Sequence, residues 1–151
     1  MTITDQLNSM RMMIMYYEER GKKLSAPYNL TTTEFHIISF LTNNPTMDTA
    51  KDIEELKRIP KATISIAIDS LITKKLITKK EDKDDRRRYH LALTTKAKDI
   101  QQVIYDLQKE LMDIIFKDFN QEEVNAYWAF AARIMNNIET SFKELQDGTK
   151  K

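Results

Sequence analysis

The sequence contains no cysteine, which excludes disulfide scaffolds, thiol nucleophiles, thiol-based redox sensors and cysteine-ligated zinc. Glycine and proline are also scarce, with two and three residues in a chain of 151. Lysine, glutamate, leucine, isoleucine and methionine are plentiful, and these residue types favour helices. The length is that of one domain with one core. We therefore expect a single, mainly helical domain over residues 1–151.

Long hydrophobic runs are missing as well. Every apolar stretch falls far short of the roughly 20 residues needed to cross a bilayer, and no signal peptide is recognisable. The expected location is the cytoplasm, without a membrane partner. The sequence also lacks a glycine-rich phosphate loop and a nucleophile paired with a histidine at a recognisable spacing. We therefore expect no enzyme and no cofactor. His36 and His90, the only histidines, are remote in the sequence and predict no metal site.

The charge distribution is uneven, although the formal net charge is only +1. Between Lys57 and Lys98 there are 13 basic and 5 acidic residues, a net charge of +8. The rest of the chain has 11 basic and 18 acidic residues, a net charge of −7. A split of this size indicates one surface for a polyanion and another for a different purpose.

Apolar residues recur at helical spacing through the first half of the chain. They do so over residues 3–24, again after the Thr31–Glu34 capping box, and again after the N-cap candidates Asp48–Thr49. Pro60 is well placed to open one more helix a few residues later. Two short helices joined by so short a turn indicate a helix-turn-helix.

The hydrophobic period changes from about 3.6 to 2 residues after Leu76. Leu76–Lys79 can form one short strand, while Tyr89, Leu91 and Leu93 alternate with other residues in a second and are expected to anchor it. The segment between them, Glu81–Arg88, carries four acidic and four basic side chains. We interpret this charged segment as the tip of a β-hairpin, the wing of a winged helix.

Two long helices are predicted after the hairpin. Thr94 or Thr95 is expected to cap the first, and Asn120 the second. Both carry apolar stripes longer than the winged module can cover, so pairing with a second copy is the simplest way to bury them. The prediction is thus a winged helix at about residues 30–96, flanked by dimerisation helices at about 3–25 and 97–146.

The second helix of the helix-turn-helix has a face suited to the DNA major groove, which requires short or polar side chains near the helix N-terminus. Thr63 and Ser65 can touch base edges. Ala62 and Ile66 can contact thymine methyl groups, and Lys61 can bind phosphate.

The hairpin supplies the rest of the predicted DNA-binding residues, Lys83, Arg86, Arg87 and Arg88. A narrow minor groove favours arginine, and neighbouring phosphates favour lysine. Asp84 and Asp85 would weaken DNA binding as bulk charge, but they make sense as ion-pair partners that hold a guanidinium in one orientation.

The segment from about Leu30 to Ala97 resembles the MarR family (multiple antibiotic resistance regulators), dimeric winged-helix transcription factors of bacteria and archaea. Leu30–Phe35 is similar to the opening of that family's second helix, with its Leu-Thr-x-x-Glu-Phe pattern. Ile59–Ser65 is similar to the start of its recognition helix. Asp85–Arg87 followed by Leu91–Thr94 resembles its wing signature, an acidic-arginine tip leading to a strand that ends in Leu-Thr.

The resemblance implies a homodimeric, sequence-specific regulator, a repressor by expectation, with double-stranded DNA as its partner. Each subunit would read half of a pseudo-palindromic operator. The helix from Lys61 would occupy the major groove, and Arg86 or Arg87 the minor groove. The first and last two helices would form the dimer, and the predicted interface residues are Leu7, Met10, Ile14, Ile114, Tyr127, Trp128, Ile134 and Ile138.

Many members of the family release DNA when a small, often phenolic, molecule binds between the dimer helices and the DNA-binding lobe. The corresponding candidate pocket for a small aromatic effector consists of Tyr16, Tyr17, Phe35 and His36. Ordinary core packing of these rings is the alternative.

The sequence departs from the family pattern at four positions. Lys75 and Ala97 replace usual glycines, and Ile66 and Ser70 replace frequent arginines. The second pair suggests readout through hydroxyls, apolar contacts and the wing. The alternative function is a winged-helix module for protein–protein interaction without specific DNA binding, against which the charge split argues.

Overall fold

The computed structural model describes residues 1–57, 59–85 and 88–148, apart from the side chains of Leu56 and Lys57. The helices are α1 (Ile3–Ser25), α2 (Thr32–Asn43), α3 (Ala50–Lys57), α4 (Lys61–Thr73), α5 (Lys98–Ile115) and α6 (Gln121–Gly148). Strands β1 (Ile77–Glu81) and β2 (Tyr89–Leu93) lie between α4 and α5, and short 3-10 turns occupy Ala26–Tyr28 and Thr95–Ala97. This order confirms the predicted mainly helical winged-helix fold with flanking helices.

Helix α2 is the centre of the core. Its predicted capping box is present, because Thr31 N donates to Glu34 Oε2 at 2.7 Å and Glu34 N donates to Thr31 Oγ1 at 3.2 Å. Phe35, Ile37 and Phe40 are at most 2% exposed, so the helix is enclosed on more than one side. The surrounding elements contribute further buried side chains, which include Ile53, Ile64, Leu71, Ile77, Leu91, Ile100, Ile104 and Leu107.

Helix α1 continues through Gly21 and packs closely on α2. A Cβ atom added at Gly21 would lie 2.7 Å from Cε1 of Phe35. No side chain fits in that space, so glycine allows the close approach of the two helices at this point.

Of the two predicted N-cap candidates of α3, only Thr49 takes that role. Thr49 exchanges hydrogen bonds with Asp52: Asp52 N donates to Thr49 Oγ1 at 3.2 Å, and Thr49 N donates to Asp52 Oδ2 at 2.9 Å. Asp48 instead faces the wing, where its carbonyl oxygen accepts a 2.8 Å hydrogen bond from Leu91 N. Pro60 is the N-cap of α4, as its fixed φ allows.

The hairpin is antiparallel, with Ile77 opposite Leu93 and Glu81 opposite Tyr89. Strand β1 begins one residue later than predicted and extends two residues further, to Glu81. Of the three expected anchors in β2, Leu91 is buried and Leu93 is half-buried, but Tyr89 is 39% exposed. The prediction for Tyr89 was wrong because its ring lies under Lys79, whose Nζ is 4.2 Å from the ring centroid.

The prediction that Thr94 or Thr95 caps the long helix directly was also wrong. The 3-10 turn Thr95–Ala97 precedes α5, and Thr94 makes no side-chain cap. The Thr94 hydroxyl donates instead to the carbonyl oxygens of Lys75 and Leu76 at 2.8 and 3.2 Å. It therefore ties the end of β2 to the segment after α4.

The chain divides into two compact units, Met1–Leu111 and Met112–Lys151. In the second, Asn120 caps α6 as predicted: Glu123 N donates to its Oδ1 at 3.0 Å, and Asn120 N donates to Glu123 Oε2 at 2.8 Å. The rings of Tyr127 and Trp128 are 5.1 and 5.6 Å from that of Phe116. Within the described part of α6, no residue is fully buried.

Candidate nucleic-acid interface

Helix α4 has two faces of different character. Ile64, Ile68 and Leu71 are at most 5% exposed and join the core. The side chains predicted to contact DNA all lie on the exposed part of the first two turns, and they are Lys61, Ala62, Thr63, Ser65 and Ile66. Ile66 is 72% exposed, which is unusual for a large apolar side chain on a short helix. The helix thus presents small, hydroxyl and apolar groups outward.

The wing tip is organised by Asp82. Its Oδ1 accepts hydrogen bonds from the backbone amides of Asp84 and Asp85, at 2.8 and 2.9 Å. Asp82 N donates to the carbonyl oxygen of Arg88 at 3.0 Å, and Arg88 N donates to that of Asp85 at 2.8 Å. The pairing of Asp84 or Asp85 with an arginine guanidinium remains a prediction. Asp82, which sequence reasoning did not single out, orders the backbone of the tip through its carboxylate.

His90 is a site residue that sequence reasoning missed. Its Nδ1 lies 2.7 Å from Oδ1 of Asp48, and its Nε2 lies 2.7 Å from Oδ2 of Asp82. These hydrogen bonds, that to Asp82 first, raise the pKa of His90 above its ordinary value. His90 and the two amide hydrogen bonds together lower the pKa of Asp82 to about 2.

A cleft of about 560 Å³ separates α4 from the wing and α3. Its lining is mixed in charge: Lys61 and Arg88 lie on it together with Asp52 and Asp69. Burial alone would raise the pKa of the Asp52 carboxyl. Hydrogen bonds from Thr49 and the positive charge of Arg88 act in the opposite direction and leave this pKa below its usual range. Arg88 therefore has an acidic neighbour within the protein.

Of the remaining predicted DNA-binding residues of the wing, the structure describes only Lys83. Lys83 is exposed on the tip. Arg86 and Arg87 lie outside the described residues, and their assignment to DNA remains a prediction from the sequence.

Three of the four predicted effector-pocket residues take part in contacts between helices, and the ring of His36 lies near that of Phe35 on the same helix. Phe35 belongs to the core, with its ring 6.3 Å from that of Tyr17 and 6.4 Å from that of His36. Tyr16 hydrogen-bonds through its hydroxyl to Glu110 of α5. Arg20 donates to the same carboxylate at 2.9 and 2.7 Å, and with Tyr16 it lowers the pKa of Glu110 to about 2. A pocket here remains a prediction.

The predicted dimer residues are exposed in the single chain. In α1, Leu7 and Ile14 are each 59% exposed and Met10 is 39% exposed. In the second unit the exposed fraction is between 40% and 59% for every predicted residue, namely Ile114, Tyr127, Trp128, Ile134 and Ile138.

The MarR family model matches residues 28–88, the segment that contains α2, α3, α4 and β1. This segment of the chain is similar to the MarR family. The match begins before the Thr31–Glu34 capping box and ends at Arg88, so it includes the charged wing tip. A comparison with curated proteins finds no significant match.

Solved MarR structures share the fold well beyond that segment. A MarR protein from Peptoclostridium difficile DA00132 is 22% identical, with a TM-score of 0.73 over 95% of this chain and 91% of that one. A MarR transcriptional regulator from Methanosarcina mazei Go1 is 21% identical, with a TM-score of 0.69 over 87% and 95%. The complex of S. aureus MepR with DNA is 20% identical, with a TM-score of 0.67 over 91% and 98%.

These similarities extend the MarR fold to the flanking helices. No helix in the described part of the chain is long and apolar enough to span a bilayer.

Proposed function

We propose that this chain is a MarR-type transcription regulator that binds double-stranded DNA in the cytoplasm as a homodimer. The observation that carries the proposal is the outward face of α4. Its first two turns expose Lys61, Thr63, Ser65 and the 72% exposed Ile66, while the opposite face is anchored in the core. A rigid helix with short polar and apolar groups at its N-terminal end suits the major groove.

The wing supports the same function by its charge and its rigidity. Exposed Lys83 and Arg88 flank Arg86 and Arg87 in the sequence, and four hydrogen bonds around Asp82, Asp85 and Arg88 order the base of the tip. An ordered element loses less conformational entropy when it binds a groove. We assign the wing to the minor groove and adjacent phosphates.

Dimerisation is supported by the apolar surface that a single chain leaves exposed. Leu7 and Ile14 in α1, and Trp128, Ile134 and Ile138 in α6, are 45–59% exposed. A second copy would remove this surface from water. Two recognition helices then read the two halves of a pseudo-palindromic operator. Repression, and release by a small aromatic effector, complete the proposal by analogy with the family.

DNA fragments selected from genomic DNA, titrated by fluorescence anisotropy, test the proposal. We expect affinity to fall steeply between low and moderate salt, because phosphate contacts release counterions. Replacing both arginines, Arg86→Ala with Arg87→Ala, should weaken binding about tenfold or more while leaving the helical content unchanged.

The matched control is Lys22→Ala with Lys23→Ala, which removes the same charge from an exposed part of α1. This control should retain nearly the full affinity. Equal affinity of the wing variant and the wild type would remove the wing from the interface. Absence of binding to any duplex at low salt would favour a protein-interaction module instead.

A further inference from the structure

His90 lies between two carboxylates on different parts of the fold. Its two ring nitrogens are each 2.7 Å from a carboxylate oxygen, of Asp48 on one side and of Asp82 on the other. A neutral imidazole carries one N–H and can donate to only one of them, whereas an imidazolium donates to both. The carboxylates lie on opposite edges of the ring, so the arrangement fits a protonated histidine rather than a shared metal ion. Across the part of the chain that the structure describes, no cluster of three possible metal ligands is found.

The two carboxylates belong to different structural parts. Asp82 holds the amides of Asp84 and Asp85 and so orders the tip. Asp48 lies just before α3, where its carbonyl oxygen accepts the amide of Leu91 and its neighbour Thr49 forms a bridge with His90. The side chain of His90 thereby connects the wing tip to the start of the helix-turn-helix.

We infer that His90 is a positioning residue for the wing, which as an imidazolium joins Asp48 to Asp82 and holds the tip in the orientation that binds DNA. Loss of its proton removes one of the two hydrogen bonds and loosens the tip. The inference rests on the proposed DNA-binding function and adds to it a pH dependence that the helix-turn-helix alone would not have.

The charged groups around His90 determine the pH at which it loses its proton. Lys80 is its partner across the hairpin, and Glu81, Lys83 and Asp84 line the same recess of the wing. Hydrogen bonds with Asp82 and then Asp48 outweigh burial and raise the pKa of His90 above 6.5. Because the pKa of His90 is raised, its stabilising effect on the tip is fully present when the pH is below the ordinary pKa of histidine. The effect is lost as the pH rises through the raised pKa. Wing order is therefore expected to be complete below pH 6.5 and to decline as pH rises through the raised pKa of His90.

The connection can be tested without DNA. Proton NMR of the free protein follows the two imidazoles across pH, and His36→Gln identifies which signal belongs to His90. We expect Asp48→Asn to lower the pKa of His90, because one negative partner becomes neutral. We also expect hydrogen exchange of the Asp84 and Asp85 amides at pH 6 to be faster in His90→Gln than in the wild type. A His90 pKa that does not move in Asp48→Asn, or unaltered amide exchange in His90→Gln, would overturn the connection.

DNA titration at constant ionic strength then tests the consequence. Wild-type affinity should fall roughly twofold to fivefold as pH rises through the His90 pKa, the range expected for a partly exposed charged pair. In Asp48→Asn the midpoint of this fall should move to lower pH, a shift that a purely structural role would not produce. His90→Gln, checked for folding by circular dichroism, should bind with an affinity independent of pH and close to that of the deprotonated wild type.

Failure of the inference and failure of the proposed function give different results. If the wild type binds DNA with the same affinity at every pH, the positioning role of His90 is wrong and the DNA-binding proposal stands. If neither the wild type nor the variants bind any duplex, the DNA-binding function is wrong, and the role of His90 in DNA binding is wrong with it. The NMR measurement on the free protein shows, independently of DNA binding, whether His90 joins the two carboxylates.

Discussion

Lys75 occupies a backbone conformation that usually belongs to glycine. Its φ is 62°, in the left-handed region, immediately after Lys74, the C-cap of α4. Lys75 N donates to Ile72 O at 2.9 Å and Leu76 N donates to Leu71 O at 3.0 Å, the pair of hydrogen bonds that closes a Schellman motif. A side chain in this conformation costs about 1 kcal/mol relative to glycine. The departure from the family's glycine therefore leaves the turn intact but strained.

We expect Lys75→Gly to raise the free energy of unfolding by about 0.5–1 kcal/mol, since the relief of strain is partly offset by the greater freedom of glycine in the unfolded chain. Thermal unfolding monitored by circular dichroism should show a midpoint higher by about 2–4 °C. Lys51→Gly, at an exposed lysine in the first turn of α3, is the control and should lower stability by up to about 1 kcal/mol. A lower midpoint for Lys75→Gly would show that its side chain makes a stabilising contact that outweighs the strain.

Local residue roles were predictable from sequence, and distant ones were not. The Thr31–Glu34 capping box and the Asn120 cap follow from side chains three residues apart, so their spacing reveals them. His90 pairs with Asp48, 42 residues away, and no short-range pattern reveals that contact. The contact of His90 with Asp82, 8 residues away, was also not predicted, because the geometry of the turn decides which carboxylate lies close to the ring and to the tip amides.

At the scale of elements, a buried ion pair joins the start of α2 to the end of α4. Glu34 is 1% exposed, and Lys74 Nζ donates to both of its carboxylate oxygens at 2.8 Å. Lys74 also donates to the carbonyl oxygen of Asn29 at 2.7 Å. Burial alone would raise the pKa of Glu34, but hydrogen bonds from Lys74, Ser70 and Thr31 hold it below its ordinary value. The pair thus keeps a charged carboxylate inside the fold.

We expect Lys74→Met to destabilise the protein by about 2–3 kcal/mol at pH 7, because it leaves a buried carboxylate without its cation. Wild-type stability from Glu34 is present above pH 4.5 and declines as pH falls through the lowered pKa. The deficit of the variant should therefore shrink toward pH 4, where its Glu34 is protonated. Urea unfolding at both pH values measures this. The neighbouring exposed Lys75→Met removes the same charge and should change stability by less than about 0.5 kcal/mol; equal losses in the two variants would contradict the argument.

The elements themselves were largely readable from hydrophobic periodicity, whereas their junctions were not. The spacing of buried residues in α2 and α4 and the change of period in β2 predict the winged helix. The start of α5 was misplaced because Thr94 resembles an N-cap in sequence, while its hydroxyl finds the carbonyl oxygens of Lys75 and Leu76. Competition between a local cap and a distant acceptor is decided by the tertiary fold.

At the scale of the whole molecule, α6 leaves large apolar side chains exposed in the single chain. Ile134 and Ile138 are one helical turn apart and are 45% and 59% exposed, as is expected for a surface that a second chain covers. Replacing both with aspartate should cost the single chain little, because these side chains are already in contact with water. In a symmetric dimer each change occurs twice, and each buried isoleucine contributes about 1.5–3 kcal/mol. Ile134→Asp with Ile138→Asp should therefore raise the dissociation constant of the dimer by about a hundredfold or more.

Sedimentation equilibrium measures the dissociation constant directly, and circular dichroism confirms that the helices remain. Asn125→Asp with Asn136→Asp is the matched control, because it adds the same charge to the face of α6 roughly opposite Ile134. The control should remain dimeric. If the aspartate pair at Ile134 and Ile138 also leaves the dimer intact, α6 does not form the interface through this face. If the wild type is a monomer at every concentration, two coupled recognition helices cannot read a pseudo-palindrome, and operator affinity would have to come from a single α4 and its wing.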